Sequence, residues 1–273
     1  MTSTFLETSA ADRSIEQRIR YDYSKPVRDL RQRLLVVPPS RHGRQHRVDW
    51  SVDVRGAEAE IVRTARDRFG NVRIEIAVPE VRAWIEFEVR TTVAFCDEHR
   101  TAGVRPDTRY SRPTRLTAPD AAIARLVSGC DRNEPDVICA RVHQALTYEY
   151  GITDVRTTAA DALSRGRGVC QDYAHLMVAA CRLVGIPARY VSGHLVGEGG
   201  SHAWVEVLRL HGSNPDAWIA EPWDPTHCRR TDDDYITIAT GRDYSDVAPM
   251  SGTFAGRAQG KLTVHKHART RLG

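Results

Sequence analysis

Short runs in which apolar and polar residues alternate fill the first third of the chain. They cover Arg33–Val37, Arg47–Val54, Val72–Val78 and Trp84–Phe95, and Pro38-Pro39, Gly56, Phe69-Gly70-Asn71 and Pro79 punctuate them. Alternation with period two between turn-forming residues predicts half-buried antiparallel strands, so residues 14–107 read as a small β domain. A polar, proline-containing bridge follows, from Arg105-Pro106-Asp107 to Pro119. The pattern then changes: helices are predicted over Ala121–Ser128 and Pro135–Tyr148, and Asp161-Ala162-Leu163 opens another helical turn. From Tyr173 to Val184 apolar residues occur nearly all round the helical repeat, which predicts a central buried helix. His202–Leu210 is β-branched, aromatic and apolar and predicts a strand; His211–Pro215 predicts a turn and Ala217–Ala220 the returning strand. Helices followed by sequential antiparallel strands make the fold class α+β, with a core over residues 115–247. In the last segment, 248–273, Leu262 and Val264 alternate with polar neighbours, as in a strand with charged edge residues.

Cys170 stands where the buried helix should begin, in Gly168-Val169-Cys170-Gln171-Asp172-Tyr173-Ala174-His175. A thiol at a helix N-terminus faces unpaired backbone N–H groups and the positive end of the macrodipole, an environment that favours thiolate. Two later residues can complete a nucleophilic triad. In a hairpin centred on Ser213, facing residues have numbers that sum to 426, and 202 and 224 do so. His202 and Asp224 would then be cross-strand neighbours on one face, with Cβ atoms roughly 4.5–5.5 Å apart. A one-residue bulge near Pro222 would turn Asp224 to the opposite face.

At these residues the chain resembles the transglutaminase-like superfamily of papain-related thiol enzymes. The resemblance is carried by Gly168–Leu176, Gly185-Ile186-Pro187-Ala188-Arg189-Tyr190-Val191-Ser192-Gly193, Ser201-His202-Ala203-Trp204-Val205-Glu206 and Trp223-Asp224-Pro225-Thr226. Tyr21–Val27 and Gly241–Val247 look like the bacterial branch, which adds an N-terminal β domain. The resemblance implies a papain/transglutaminase-like core, with a buried Cys-bearing helix packed on an antiparallel sheet. It also implies a catalytic set of Cys170 as nucleophile, His202 as base then acid, and Asp224 as orienting carboxylate. The expected reaction is acyl transfer from an amide of a peptide or protein through a Cys170 thioester, with no cofactor. The Cys170 backbone N–H is a natural oxyanion donor. Gln144, Tyr148 and Tyr150 carry groups suited to be the second donor. By analogy with small bacterial members, hydrolysis is preferred to transamidation; a catalytically silent peptide binder is the alternative that the intact triad argues against.

Asp172 and His175 lie inside the otherwise apolar helix and are expected to cap it and tie neighbouring loops, since buried polar groups need partners. No metal site is expected. The cysteines and histidines of this half show neither C-x-x-C nor H-E-x-x-H spacing, and Cys170 and Cys181 would stand about 16 Å apart along the helix. Asp232-Asp233-Asp234 lacks the alternating oxygen ligands of a calcium loop and reads as a solvated turn.

Composition excludes several classes. The 273 residues suffice for two cores, and a 41% hydrophobic content is ordinary for a globular chain. A net charge of +4, from 39 basic and 35 acidic residues, defines no nucleic-acid surface. No apolar run reaches the roughly 18 residues of a membrane span, and Met1–Thr8 lacks the pattern of a signal peptide. Six scattered cysteines suggest no disulfide framework, so the cytoplasm is the expected location. Nothing in the composition bears on the oligomeric state.

Overall fold

The computed structural model describes residues 12–96, 107–210 and 218–270. The expected hairpin turn at 211–215, the first residue of the returning strand, the N-terminal eight residues and the start of the bridge at Arg105-Pro106 lie outside them. The strands are β1 (Arg13–Tyr23), β2 (Val27–Val37), β3 (Arg41–His42), β4 (Gln45–Arg55), β5 (Glu60–Arg66), β6 (Val72–Val81), β7 (Trp84–Phe95) and β8 (Thr147–Tyr148). They continue with β9 (Arg167–Gly168), β10 (Ala188–Leu195), β11 (His202–Leu210), β12 (Trp218–Asp224), β13 (Arg229–Arg230), β14 (Tyr235–Gly241), β15 (Met250–Ala255) and β16 (Gly260–Thr270). The helices are α1 (Ala121–Leu126), α2 (Pro135–Ala145), α3 (Ala159–Arg165), α4 (Cys170–Leu183) and α5 (Tyr244–Val247). The fold is α+β, as expected.

Seven N-terminal strands and the last two form two facing antiparallel sheets, ordered β16-β1-β7-β4-β3 and β15-β2-β6-β5. Between them lie Ile19, Leu30, Leu34, Ile74, Ile76, Ile85, Phe87 and Val89, all buried. Residues 248–273, expected as a separate strand or tail, supply strands to both sheets: β15 pairs with β2, and β16 runs the full length of β1 from Arg13↔Thr270 to Tyr23↔Gly260. The other half is therefore inserted between two parts of the sandwich. Its sheet is antiparallel, ordered β13-β12-β11-β10-β14, with β11 at its centre.

Helix α4 packs on this central strand. Its buried Ala174, Leu176, Met177, Val178, Ala179, Ala180 and Cys181 share one core with Ala203, Val205 and Val207 of β11. The helix begins at Cys170 because Asp172 accepts the Val169 N–H at 2.8 Å and satisfies one of the open first-turn donors. It ends where Gly185 takes φ +81° and Pro187 forbids a further turn. Near its C-terminus the buried Arg182 guanidinium donates to the carbonyls of Tyr110, Ala188 and Arg242 and to Thr117 Oγ1, and so binds four separate segments to the helix. Helix α2 stops at Ala145 instead of reaching Tyr148, because Thr147 and Tyr148 pair in parallel with Arg167 and Gly168. That pairing places Tyr148 beside the strand that leads into Cys170.

The sandwich grips the β14 edge with side-chain amides. Gln45 Nε2 donates to the Thr237 carbonyl at 2.9 Å while the Thr237 N–H donates to Gln45 Oε1 at 2.8 Å. Asn71 makes the same reciprocal pair with Thr240, at 2.9 and 2.8 Å. Each amide imitates a strand's N–H and C=O, so an edge that would otherwise be a template for foreign strands is satisfied. Asp233 and Asp234, expected in a solvated turn, pair instead with Arg44 at 3.0 Å and Arg13 at 3.1 Å, both from the sandwich.

Candidate active site

Cys170, His202 and Asp224 come together from the start of α4, the start of β11 and the end of β12. Cys170 is half-buried, whereas His202 and Asp224 are buried. The β11–β12 ladder pairs Val205 with Trp223 and Leu210 with Trp218, so facing numbers sum to 428 and the hairpin is centred two residues' worth of register beyond the expected 426. A shift of two preserves the face. His202 and Asp224 become diagonal neighbours, roughly 7–8 Å apart at the backbone, a gap that the imidazole spans. His202 Nε2–H donates to Asp224 Oδ2 at 2.8 Å.

Asp224 is held more firmly than a triad alone would require. Its Oδ2 also accepts from His227 Nδ1 at 2.7 Å and from the Tyr235 hydroxyl at 2.7 Å, and its Oδ1 accepts the Thr226 N–H at 2.8 Å. Burial would raise its carboxyl, but the bonds from His202, His227 and Tyr235 outweigh burial and hold it far below the usual carboxylate range. Burial likewise opposes the His202 imidazolium, yet the hydrogen bond to Asp224 and the nearby Cys170 sulfur push this histidine well above its ordinary value. Trp204 stacks against the His202 ring at 6.3 Å and Tyr235 meets it edge-on at 5.9 Å. Gly193, opposite His202 on β10, has to be glycine: a Cβ there would lie 2.1 Å from the Ile236 carbonyl oxygen and 2.4 Å from the Trp204 ring.

Asp172 and His175 of α4 tie loops together. Asp172 accepts from Val169 N–H and from the Thr153 hydroxyl at 2.7 Å, and it lies so close to Gly168 that a Cβ there would meet its own at 2.6 Å. His175 Nε2 accepts the Tyr244 N–H at 3.1 Å. Burial pushes the Cys181 thiol up to about 12, as suits an inert core sulfur. Of the suggested oxyanion partners, Tyr148 lies within electrostatic reach of Cys170 and Glu198. Sequence reasoning missed Tyr235 and Glu198, and it took His227 only among the histidines of this half tested for metal-ligand spacing. His202, Asp224 and His227 nonetheless offer ligand atoms within 4.8 Å of one another, a grouping that linear spacing hides.

A helix-borne cysteine packed on an antiparallel sheet that presents a histidine–carboxylate pair defines the papain-like class of α+β thiol folds. The model of the transglutaminase-like superfamily matches residues 124–221, and the bacterial transglutaminase-like N-terminal region matches residues 14–94. An uncharacterised protein of Mycobacterium leprae is 32% identical over 229 residues, 78% of this chain and 74% of that protein. An uncharacterised Mycobacterium tuberculosis protein is 34% identical over 126 residues, 42% of this chain and 40% of its own length. The crystal structure of a candidate cysteine protease from Cytophaga hutchinsonii superposes with a TM-score of 0.75 at 22% identity, covering 96% of this chain and 91% of that one. The chain belongs to the transglutaminase-like superfamily. Among the described residues no helix is long and apolar enough to cross a membrane.

Proposed function

We propose that this protein is a thiol acyl-transfer enzyme that opens amide bonds of peptides or proteins, with water as the acyl acceptor. The observation that carries this reading is the His202 Nε2–H fixed on Asp224 at 2.8 Å, with Cys170 at the start of α4 within electrostatic reach of the same imidazole. In the proposed cycle His202 takes the Cys170 proton, the sulfur attacks the carbonyl carbon, and His202 protonates the departing amine. Water, activated by the same imidazole, then cleaves the thioester. Asp224 stays ionised throughout, fixing the tautomer and stabilising the imidazolium. The Cys170 N–H at the helix start, with Tyr148 on the neighbouring strand, would stabilise the oxyanion. Its six cysteines, none of them in a disulfide, and its need for a reduced thiol suit a reducing compartment such as the cytoplasm.

Two measurements test this. Iodoacetamide at about pH 6, where an ordinary thiol is mostly protonated, should label Cys170 first, and His202→Ala should abolish that selectivity. Uniformly slow labelling of folded protein would favour the silent peptide binder. Incubation with a glutamine-containing peptide and a primary amine, followed by mass spectrometry, should yield the hydrolysed acid in excess. An excess of amine adduct would make the protein a transamidase.

A further inference from the structure

One residue holds both oxygens of the Asp224 carboxylate. His227 donates its backbone N–H to Oδ1 at 3.3 Å and its ring Nδ1–H to Oδ2 at 2.7 Å. The other donors to that carboxylate among the described residues each reach a single oxygen. Thr226 N–H meets Oδ1 at 2.8 Å, while the Tyr235 hydroxyl and His202 Nε2–H meet Oδ2 at 2.7 and 2.8 Å. The last torsion of an aspartate side chain is broad and fixes no plane by itself, so the plane of this buried carboxylate is set by its hydrogen bonds. Two bonds on opposite oxygens, from the backbone and the ring of one residue, set it most directly.

We infer, on the reading of Cys170, His202 and Asp224 as the triad of a thiol enzyme, that His227 is a positioning residue which locks Asp224 in the plane where Oδ2 meets His202 Nε2–H. The reason such a lock is needed is Glu198. Its Oε2 stands 3.5 Å from His202 Nδ1 and its Oε1 3.5 Å from His227 Nε2, so a second carboxylate waits on the far side of both rings. If Asp224 Oδ2 swung out of line, the neutral His202 would move its proton to Nδ1 and turn it towards Glu198. The nitrogen that has to accept the thiol proton would then already carry one, the wrong tautomer for a base. The two carboxylates differ in firmness. Asp224 is wholly buried, whereas Glu198 is partly exposed between Gly197, at φ +90°, and Gly199-Gly200. The Asp224 side of the His227 ring is therefore the limb that positions, and the Glu198 side yields. His227 also lies against the His202 ring, with centroids 5.3 Å apart, but shape alone does not choose a tautomer.

Two amide substitutions separate the limbs. The side-chain nitrogen of asparagine can take the place of imidazole Nδ1, and that of glutamine the place of Nε2. His227→Asn thus keeps a donor for Asp224, whereas His227→Gln keeps one only on the Glu198 side. The full-length, reduced protein is labelled with iodoacetamide at Cys170, and nitrogen-15 imidazole spectra read the tautomers of His202 and His227 without any assay of turnover. His227→Gln should slow labelling roughly 10-fold and shift His202 from the Nε2–H towards the Nδ1–H tautomer. His227→Asn should restore most of the rate and the Nε2–H tautomer. Equal labelling in the two variants, or a His202 that keeps its Nε2–H tautomer in His227→Gln, would overturn the inference. Circular dichroism checks the fold, and the half-exposed ring favours tolerance of both changes. Should His227→Gln misfold, the wild type still decides: its spectrum must show a proton on His227 Nδ1, and a proton on Nε2 alone would overturn the assignment. Slow labelling of wild-type Cys170 alongside the expected tautomers would count against the acyl-transfer reading and leave the His227 lock in place.

Discussion

The inserted sheet is held on its two sides by different mixtures of contacts. Against α4 it is dry: small and apolar side chains interlock, and shape alone sets the spacing between helix and strand. Against the sandwich, whose Ile15, Leu35, Val93 and Phe95 join the same apolar core, buried polar contacts are added. Gln45 and Asn71 clamp the β14 edge, and Glu206 of β11 sits buried between Arg189 at 2.5 Å and His42 of the sandwich at 2.6 Å. The apolar joint spaces α4 from β11, whereas the polar contacts at the sandwich add direction, because hydrogen bonds and ion pairs depend on angle. Packing tolerates small adjustments that paired amides do not.

The comparison can be broken from either side. Glu206→Ala should have the largest effect, about 3–5 kcal/mol, because it strands the Arg189 charge in a buried setting; chemical denaturation that shows less than 1 kcal/mol would mean the joint is solvated. On the dry side Leu176→Ala should cost about 2–5 kcal/mol and also slow alkylation of Cys170, since a cavity beneath α4 loosens the helix that carries the thiol. A destabilised variant with unchanged alkylation would separate packing from positioning.

Acid sharpens the contrast. Burial would raise the Glu206 carboxyl, but Arg189 and His42 overcome burial and bring it down to about 2 from the ordinary 4.5. A folded value below the unfolded one adds stability that is present above pH 4.5 and disappears as the pH falls towards 2. The melting temperature of the wild type should therefore fall more steeply across that window than that of Glu206→Gln; parallel curves would exclude Glu206 as the source. The smallest effect is expected for Gln45→Leu and Asn71→Leu, about 1–3 kcal/mol each, from the N–H and C=O groups of Thr237 or Thr240 left unpaired. Because the clamps hold β14, two strands away from the strand that carries His202, Cys170 labelling should not change, and a change would show that the sandwich reaches the site.

How much of this was legible beforehand depended on whether the determinants were local. The apolar run from Tyr173 to Val184 specified α4, and the segments around Cys170, His202 and Asp224 pointed to the residues that meet. The hairpin register was off by two because no local rule places the centre of a long turn to that accuracy, yet the period of two kept both residues on one face. Tyr235 and Glu198 stayed hidden because they reach the site from a different strand and a different loop. His227 was visible three residues past Asp224, and a closer reading of that segment would have raised its standing. Asp233 and Asp234 looked solvated because their partners, Arg44 and Arg13, are nearly 200 residues or more away in sequence.

The ladder between β1 and β16 gives the molecule a closed circuit. With Arg13 beside Thr270, the inserted half leaves the sandwich and returns to it, so two covalent tethers anchor it where a tandem domain would have one. A hinge through two strands of chain is stiffer than a hinge through one. The same closure has a price during synthesis: the sandwich cannot complete either sheet until the thiol-bearing half has been made, and a ribosome stalled after α5 would display β1 and β2 as unpaired edges.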